Sequence, residues 1–145
     1  MLNMFLENLN EIDRKTLKTL KYVFVAGEEL THSIAKKFIE VTDDEIHLEN
    51  LYGPTEATVY TTRYPIDRIH DDRLRIPIGR PLYNCKAYIV DENLQLQGIG
   101  IRGELCLAGI CLAQGYITDT GINQNKFIDN PFEKNSKLYK TGDIC

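Results

Sequence analysis

Two textures follow one another along this chain of 145 residues, and their order constrains the fold more than any other feature. Residues 1–63 alternate between helix and strand patterns. "EIDRKTLKTL" places Ile12, Leu17 and Leu20 near one helical face. "KYVFVAG" is a short apolar run closed by Gly27 and reads as a buried strand. "LTHSIAKKFIEV" repeats Leu30, Ile34, Phe38 and Val41 at helical spacing, with Ala35 and Ile39 alongside. "EIHLENLYG" reads as an alternating strand that turns at Gly53-Pro54, and "EATVYTTRYPI" leaves that turn as another β-rich stretch. From about residue 75 the strands become short and glycine-punctuated, separated by "DEN", "QGIGIRG" and "AG". "TDTGINQNKF" predicts a short helix with Gly121 inside it, and "KLYKTGDIC" a strand running into a Gly-Asp turn.

The expected architecture is α/β plus β: a partial α/β layer over residues 1–63, followed by a small antiparallel β-barrel-like subdomain over residues 64–145. The α/β part offers only about three strands. An open parallel sheet that small leaves edges unpaired and a face uncovered, which implies a piece of something larger.

Composition narrows the function classes. With 43% hydrophobic and 26% charged residues the chain is an ordinary globular one, and its net charge of −4 argues against a nucleic-acid surface, which shows as a clustered basic excess. No apolar run approaches a bilayer span, and "MLNMFLENLNEIDRK" lacks the basic start and apolar middle of a signal peptide. A cytoplasmic setting without membrane partners is the expectation. Cys85, Cys106, Cys111 and Cys145 have no paired spacing and lie in or beside apolar stretches, and His32, His47 and His70 are scattered. Buried, reduced thiols are expected rather than a zinc site.

The chemistry-bearing stretch is "NLYGPTE", residues 50–56. A tight turn after a strand exposes backbone amides and a short hydroxyl to an anion. Thr55 suits a phosphate oxygen, Glu56 is a hard oxygen ligand of the kind Mg²⁺ accepts beside phosphate, and Tyr52 offers a flat face to a base. A plain β-turn with a solvated glutamate explains the stretch about as well when it is taken alone. In "YKTGDI", Asp143 follows a glycine at a strand end, where a carboxylate can accept both hydroxyls of a ribose; an Asx-turn is the plainer account. In "VAGEEL", Gly27 lets backbone approach a flat ligand closely, although a strand-end glycine before a helix is common punctuation.

In order along the chain, "VFVAGEEL", "NLYGPTEATV", "IPIGRP", "GELCLAGICLAQGY" and "LYKTGD" together resemble the adenylate-forming enzymes. Within these, the chain looks most like the amino-acid adenylation domains of nonribosomal peptide synthetases. The resemblance covers nearly the whole chain and implies a role in making an aminoacyl-AMP from an amino acid and ATP with Mg²⁺. The aminoacyl group then passes to a phosphopantetheine thiol on a partner carrier domain. It implies that Tyr52 stacks on adenine, that the backbone of Gly27, Glu28 and Glu29 covers the other face, and that Asn50 sits near the adenine amino group. Gly53 belongs to the nucleotide-binding turn, Thr55 contacts phosphate, Glu56 holds the metal and Asp143 grips the ribose. Phe24, Ala26, Leu51, Val59 and Tyr60 line the amino-acid pocket, and the bulk of Phe24, Leu51 and Tyr60 favours a small substrate side chain.

The family's phosphate loop, its hinge, its catalytic lysine and its amine-binding aspartate have no counterpart here. The expectation is therefore an internal fragment, inactive alone and partnered by the rest of an adenylation domain. Two other readings stand beside it: a fragment of a D-alanine–carrier protein ligase or acyl-CoA ligase, and an independent binding or interaction module.

Overall fold

The computed structural model describes residues 1–9, 17–42, 45–66, 75–117 and 121–145. The chain forms two compact units, one made of Met1–Tyr52 with Arg63–Gly79 and the other of Gly53–Thr62 with Arg80–Cys145. It passes between them three times, where the change of texture alone suggests one break near residue 63. The reason is hydrogen bonding: within the second unit, Ala113 N–H donates to the Glu56 carbonyl at 2.8 Å and the Thr58 hydroxyl to the Cys111 carbonyl at 2.7 Å.

The first unit is a parallel strand pair with helices. β1 (Tyr22–Val25) pairs in parallel with β2 (His47–Tyr52), Tyr22 opposite His47 and Val25 opposite Asn50. Parallel neighbours need a crossover, and α2 (His32–Val41) supplies it. Its N-terminus is capped by Thr31, whose side-chain oxygen accepts the Ile34 N–H. α1 (Leu2–Glu7) packs beside α2, and Leu6, Leu30, Ala35, Phe38, Ile46, Leu48 and Ile66 form the core. Phe38 is 1% exposed, a burial that stabilises by about 1.5–3 kcal/mol. β3 (Thr62–Pro65) follows β2 in the sheet. Of the predicted helix over "EIDRKTLKTL", Ile12 lies outside the described residues, and Leu17–Thr19 form a single 3₁₀ turn.

Two strands differ from the sequence expectation. β1 is not buried on both faces: Val23 and Val25 pack on the core, while Tyr22 and Phe24 stand exposed and stacked, ring centroids 5.9 Å apart. β2 does not alternate, because Leu48, Glu49, Asn50 and Leu51 are all buried. A buried charge needs a partner, and Arg63 Nε lies 2.7 Å from the Glu49 carboxylate.

The second unit is antiparallel. After the two-residue β4 (Arg80–Pro81), β5 (Cys85–Val90), β6 (Glu104–Gly109), β7 (Phe127–Asp129) and β8 (Lys137–Ile144) form a sheet in the order β5-β6-β8-β7. The order is linear, so these four strands make an open sheet and not a closed barrel. Val90, Cys106, Ala108 and Leu138 form the core on one face, and Leu105, Leu107, Phe127 and Tyr139 are buried as well. β6 is thus covered on both sides. α3 (Ile122–Lys126) begins after Gly121, whose φ of 75° makes it the helix's N-terminal boundary and not an interior residue. Among the cysteines only Cys106 is buried; Cys85 and Cys111 are half-buried and Cys145 is exposed, which corrects the expectation of uniformly buried thiols. The described residues contain no helix long and apolar enough to cross a membrane.

Candidate functional site

The first unit carries the predicted strand-end residues. Beyond β1, Ala26, Gly27, Glu28 and Glu29 are all exposed. Gly27 has φ 85° and open space where a Cβ would stand, so the demand for glycine there is conformational and not steric. Glu29 lies 3.7 Å from Arg75 Nε, an exposed pair that contributes little. On β2, Asn50 is buried and its Nδ2 donates to the Pro77 carbonyl at 2.9 Å. Tyr52 ends the strand half-buried. Of the predicted pocket residues in this unit, Phe24 and Ala26 are exposed, whereas Leu51 is buried.

The second unit builds the turn and the carboxylates. Pro54 leads into a 3₁₀ turn, Thr55–Ala57, with Thr55 exposed and Ala57 buried. The chain then does something its residue types resist. Thr58 and Val59, both β-branched, have φ of 53° and 71°, a region such residues rarely enter. The Tyr60 N–H closes on the Thr58 carbonyl at 2.9 Å. This sharp reversal leaves Val59 66% and Tyr60 43% exposed. A Cβ on Gly53 would come within 2.4 Å of the Tyr60 Cα, so this position has no room for any side chain.

Glu56 sits inside a shell that sequence reasoning missed. Its Oε1 accepts the Tyr116 hydroxyl, sixty residues further along. The Tyr116 backbone is itself clamped: its N–H donates to Asn123 Oδ1 at 2.6 Å and its carbonyl accepts Asn123 Nδ2 at 2.9 Å. Phe127 lies edge-on to Tyr116 and 4.9 Å from the Tyr139 ring, so the three rings support one another. The hydroxyl of Tyr116, with smaller contributions from Tyr139 and Lys126, holds the Glu56 carboxyl below the usual carboxylate range, against the opposing effect of its partial burial. Donating that bond pushes Tyr116 up, and burial first of all pushes Tyr139 up. The result is a fixed, ionised carboxylate beside a turn.

Asp143 stands exposed on a bulge of β8. Cys106 pairs with Lys140 and Glu104 with Ile144, so a two-residue step on β6 faces a four-residue step on β8. Such bulges re-aim side chains, and Gly142, at φ 86°, takes the conformation this one requires. Among the described residues no three His, Cys, Asp or Glu side chains gather as a metal cage. A single ionised carboxylate fits Mg²⁺, which is bound through one or two carboxylates with phosphate and water completing its shell.

Tyr116 and Tyr139 lie in the "GELCLAGICLAQGY" and "LYKTGD" blocks. Nothing local to either block signals that a hydroxyl from the first reaches Glu56.

A glycine-proline turn followed by a hydroxyl and an ionised carboxylate has the residue chemistry to meet an anion and its metal ion. The model of the AMP-binding enzyme family matches residues 1–117, and the chain belongs to that family. It is 42% identical over 143 residues to gramicidin S synthase 2 of Aneurinibacillus migulanus, covering 99% of this chain and 3% of that protein. It is 44% identical over 144 residues to polyketide synthase PksN of Bacillus subtilis, covering 99% of this chain and 3% of that protein. Among solved structures, the nonribosomal peptide synthetase FmoA3 in its AMPPNP-bound form superposes with a TM-score of 0.87 at 28% identity, over 99% of this chain and 15% of that one. An artificially fused adenylation–PCP di-domain, NpsA-ThdA from Klebsiella oxytoca, gives a TM-score of 0.81 at 25% identity, over 99% of this chain and 28% of that one. This chain thus spans only a small part of the proteins it matches.

Proposed function

We propose that this chain is the nucleotide- and substrate-contacting part of an amino-acid adenylation domain, of the kind that serves nonribosomal peptide synthesis. In that reaction a substrate carboxylate oxygen bonds to the α-phosphorus of ATP, the bond to the bridging oxygen breaks, and pyrophosphate leaves. The phosphopantetheine thiolate of a carrier domain then attacks the aminoacyl carbonyl carbon, the bond from that carbon to the AMP oxygen breaks, and AMP leaves as the thioester forms. Residues 1–63 carry the adenine and amino-acid contacts, and residues 64–145 end at the ribose contact. Further strands from outside this chain continue the open sheet of the second unit into a barrel-like subdomain.

Each residue has a role its chemistry supports. Tyr52 stacks on the adenine, with Gly27, Glu28 and Glu29 backbone on the opposite face. Asn50 commits Nδ2 to Pro77, so its Oδ1 is the atom it offers to the adenine amino group. Gly53 keeps the turn close, Thr55 donates to phosphate and Asp143 accepts from the ribose hydroxyls. Glu56 is the Mg²⁺ ligand, and the metal when bound withdraws charge from the phosphate oxygens. Phe24, Ala26, Leu51, Val59 and Tyr60 shape the amino-acid pocket and favour a small side chain. Positioning and electrostatics supply most of the barrier reduction in such a displacement.

The observation that carries this reading is the Glu56 carboxylate, held ionised by a tyrosine hydroxyl at the end of a glycine-proline turn. The experiment is amino-acid-dependent ATP–pyrophosphate exchange by a complete adenylation domain containing this segment, against a panel of amino acids. Exchange stimulated by one or a few small amino acids is expected. Exchange stimulated by none of them, alongside thioester formation with a fatty or aryl acid, overturns the amino-acid reading.

A further inference from the structure

We propose that Lys126 is a positioning residue of the nucleotide site: its ammonium locks the β8 bulge that presents Asp143 and ties that bulge to the Tyr139–Tyr116–Glu56 cluster. This rests on the reading that Asp143 grips the ribose.

A bulge interrupts the regular ladder and leaves backbone carbonyls to be satisfied by other means. Here Lys126 Nζ lies 3.1 Å from the Lys140 carbonyl and 3.4 Å from the Thr141 carbonyl. These are the two residues that lead into Gly142 and Asp143. The opposite side of the bulge is held by Glu104. Its Oε1 accepts the Gly142 N–H at 3.1 Å, and its Oε2 lies 3.2 Å from Lys140 Nζ. Thr141 donates its hydroxyl to the Leu105 carbonyl at 2.7 Å and accepts the Asp143 N–H at 2.9 Å. Every residue from Lys140 to Asp143 is therefore fixed by a side chain.

Lys126 is the member of this set with a second function. It ends α3 half-buried, with Nζ 5.9 Å from the Tyr139 ring centroid. A lysine at the end of a five-residue helix has water to turn to and loses rotamer entropy by folding back. Two charge-assisted bonds to carbonyls and a ring face offset that loss. One side chain thus touches the base of the ribose carboxylate's bulge and the aromatic shell of the metal carboxylate. If Lys126 merely stabilised the fold, removing it would weaken every ligand alike. A positioning role makes the loss selective for contacts made by Asp143.

The test compares ATP with 2′-deoxy-ATP, which lacks one hydroxyl that Asp143 accepts from. Binding of each is titrated calorimetrically without turnover in a complete adenylation domain carrying this segment. Lys126→Met, Lys126→Gln, Lys126→Arg and Asp143→Ala are set beside the unmodified protein, with a thermal melt of each. Asp143→Ala is expected to bring the ratio of the two dissociation constants close to one. Lys126→Met is expected to reduce that ratio about tenfold with the amino-acid dissociation constant within twofold, Lys126→Gln by less, and Lys126→Arg to restore most of it. If Lys126→Met lacks a cooperative melt, the Gln and Arg variants decide by the same ordering. An unchanged ratio in the Lys126 variants, or equal weakening of both nucleotides, overturns the positioning role while Asp143→Ala still collapses the ratio. A full ratio in Asp143→Ala removes the ribose assignment, and this proposal with it.

Discussion

The Thr58 hydroxyl donates to the Cys111 carbonyl at 2.7 Å across a separation of 53 residues, and it does so from a left-handed backbone. The bond anchors the reversal that turns Val59 and Tyr60 outward. A left-handed conformation costs an L-residue roughly 1–2 kcal/mol. Replacing Thr58 by Val keeps that cost and removes the bond, so a complete domain should lose about 1 kcal/mol. Thr58→Gly loses the bond but relieves the strain, and should melt closer to the unmodified protein. Both should broaden amino-acid selectivity in pyrophosphate exchange. Selectivity unchanged in both variants would separate this turn from the substrate pocket.

Gly53 meets a different constraint. Its φ is ordinary, yet an added Cβ would lie 2.4 Å from Tyr60 Cα and 2.7 Å from Thr61 N. Backbone cannot swing aside as a flexible side chain does. Gly53→Ala should cost about 1–3 kcal/mol, the range for overpacking, and should depress exchange further by shifting the turn. Denaturant unfolding checks the first effect; a midpoint equal to that of the unmodified domain would contradict the packing described for this turn.

Glu56→Gln keeps an acceptor for Tyr116 but removes the charge. Exchange activity should fall about 10²–10³-fold, the scale seen when one electrostatic contact to a developing charge is lost. The Mg²⁺ concentration for half-maximal rate should rise. Tyr116→Phe leaves the carboxylate but frees it to rotate, so a smaller loss, about tenfold for a single hydrogen bond, is expected with the same shift in Mg²⁺ dependence. Metal titrations of both variants test this order.

Cys106 is fully buried, and desolvation pushes its thiol from 9.0 up to about 11. Burial raises the Cys145 thiol too, so access decides: alkylation of the native protein at about pH 8 should modify exposed Cys145 and spare buried Cys106 until unfolding. The linkage has a definite sign. Below about pH 9 the thiol is protonated in both states and contributes no pH dependence. As pH rises from 9.0 towards about 11 the unfolded thiol ionises while the folded one keeps its proton, so stability falls. Cys106→Ala should flatten that alkaline decline in a series of melts.

Much of this architecture can be read from local pattern. The spacing of Ile34, Ala35, Phe38 and Val41 fixes α2, and the run from Tyr22 to Val25 fixes β1. The turn at Gly53-Pro54 and the carboxylate after it are legible because backbone geometry and ligand chemistry each restrict a few adjacent residue types. Burial is less legible. An alternating pattern makes Glu49 an outward residue, but β2 is covered on both faces and takes Arg63 as a partner. Periodicity reports one face at a time and is silent about a second layer.

Local pattern sets the helix and strand segments, the tight turn and the acidic and hydroxyl groups beside it, and the ordered motifs mark the family. Packing settles the rest: residues 53–62 join the β-rich part, Asn123 and Phe127 aim Tyr116 at Glu56, and β8 bulges by two residues to extrude Asp143. The difference is one of range. Propensity and turn chemistry act over a few residues, whereas the bonds that orient this site join groups as much as sixty residues apart, and those separations acquire a geometry only once the chain has packed.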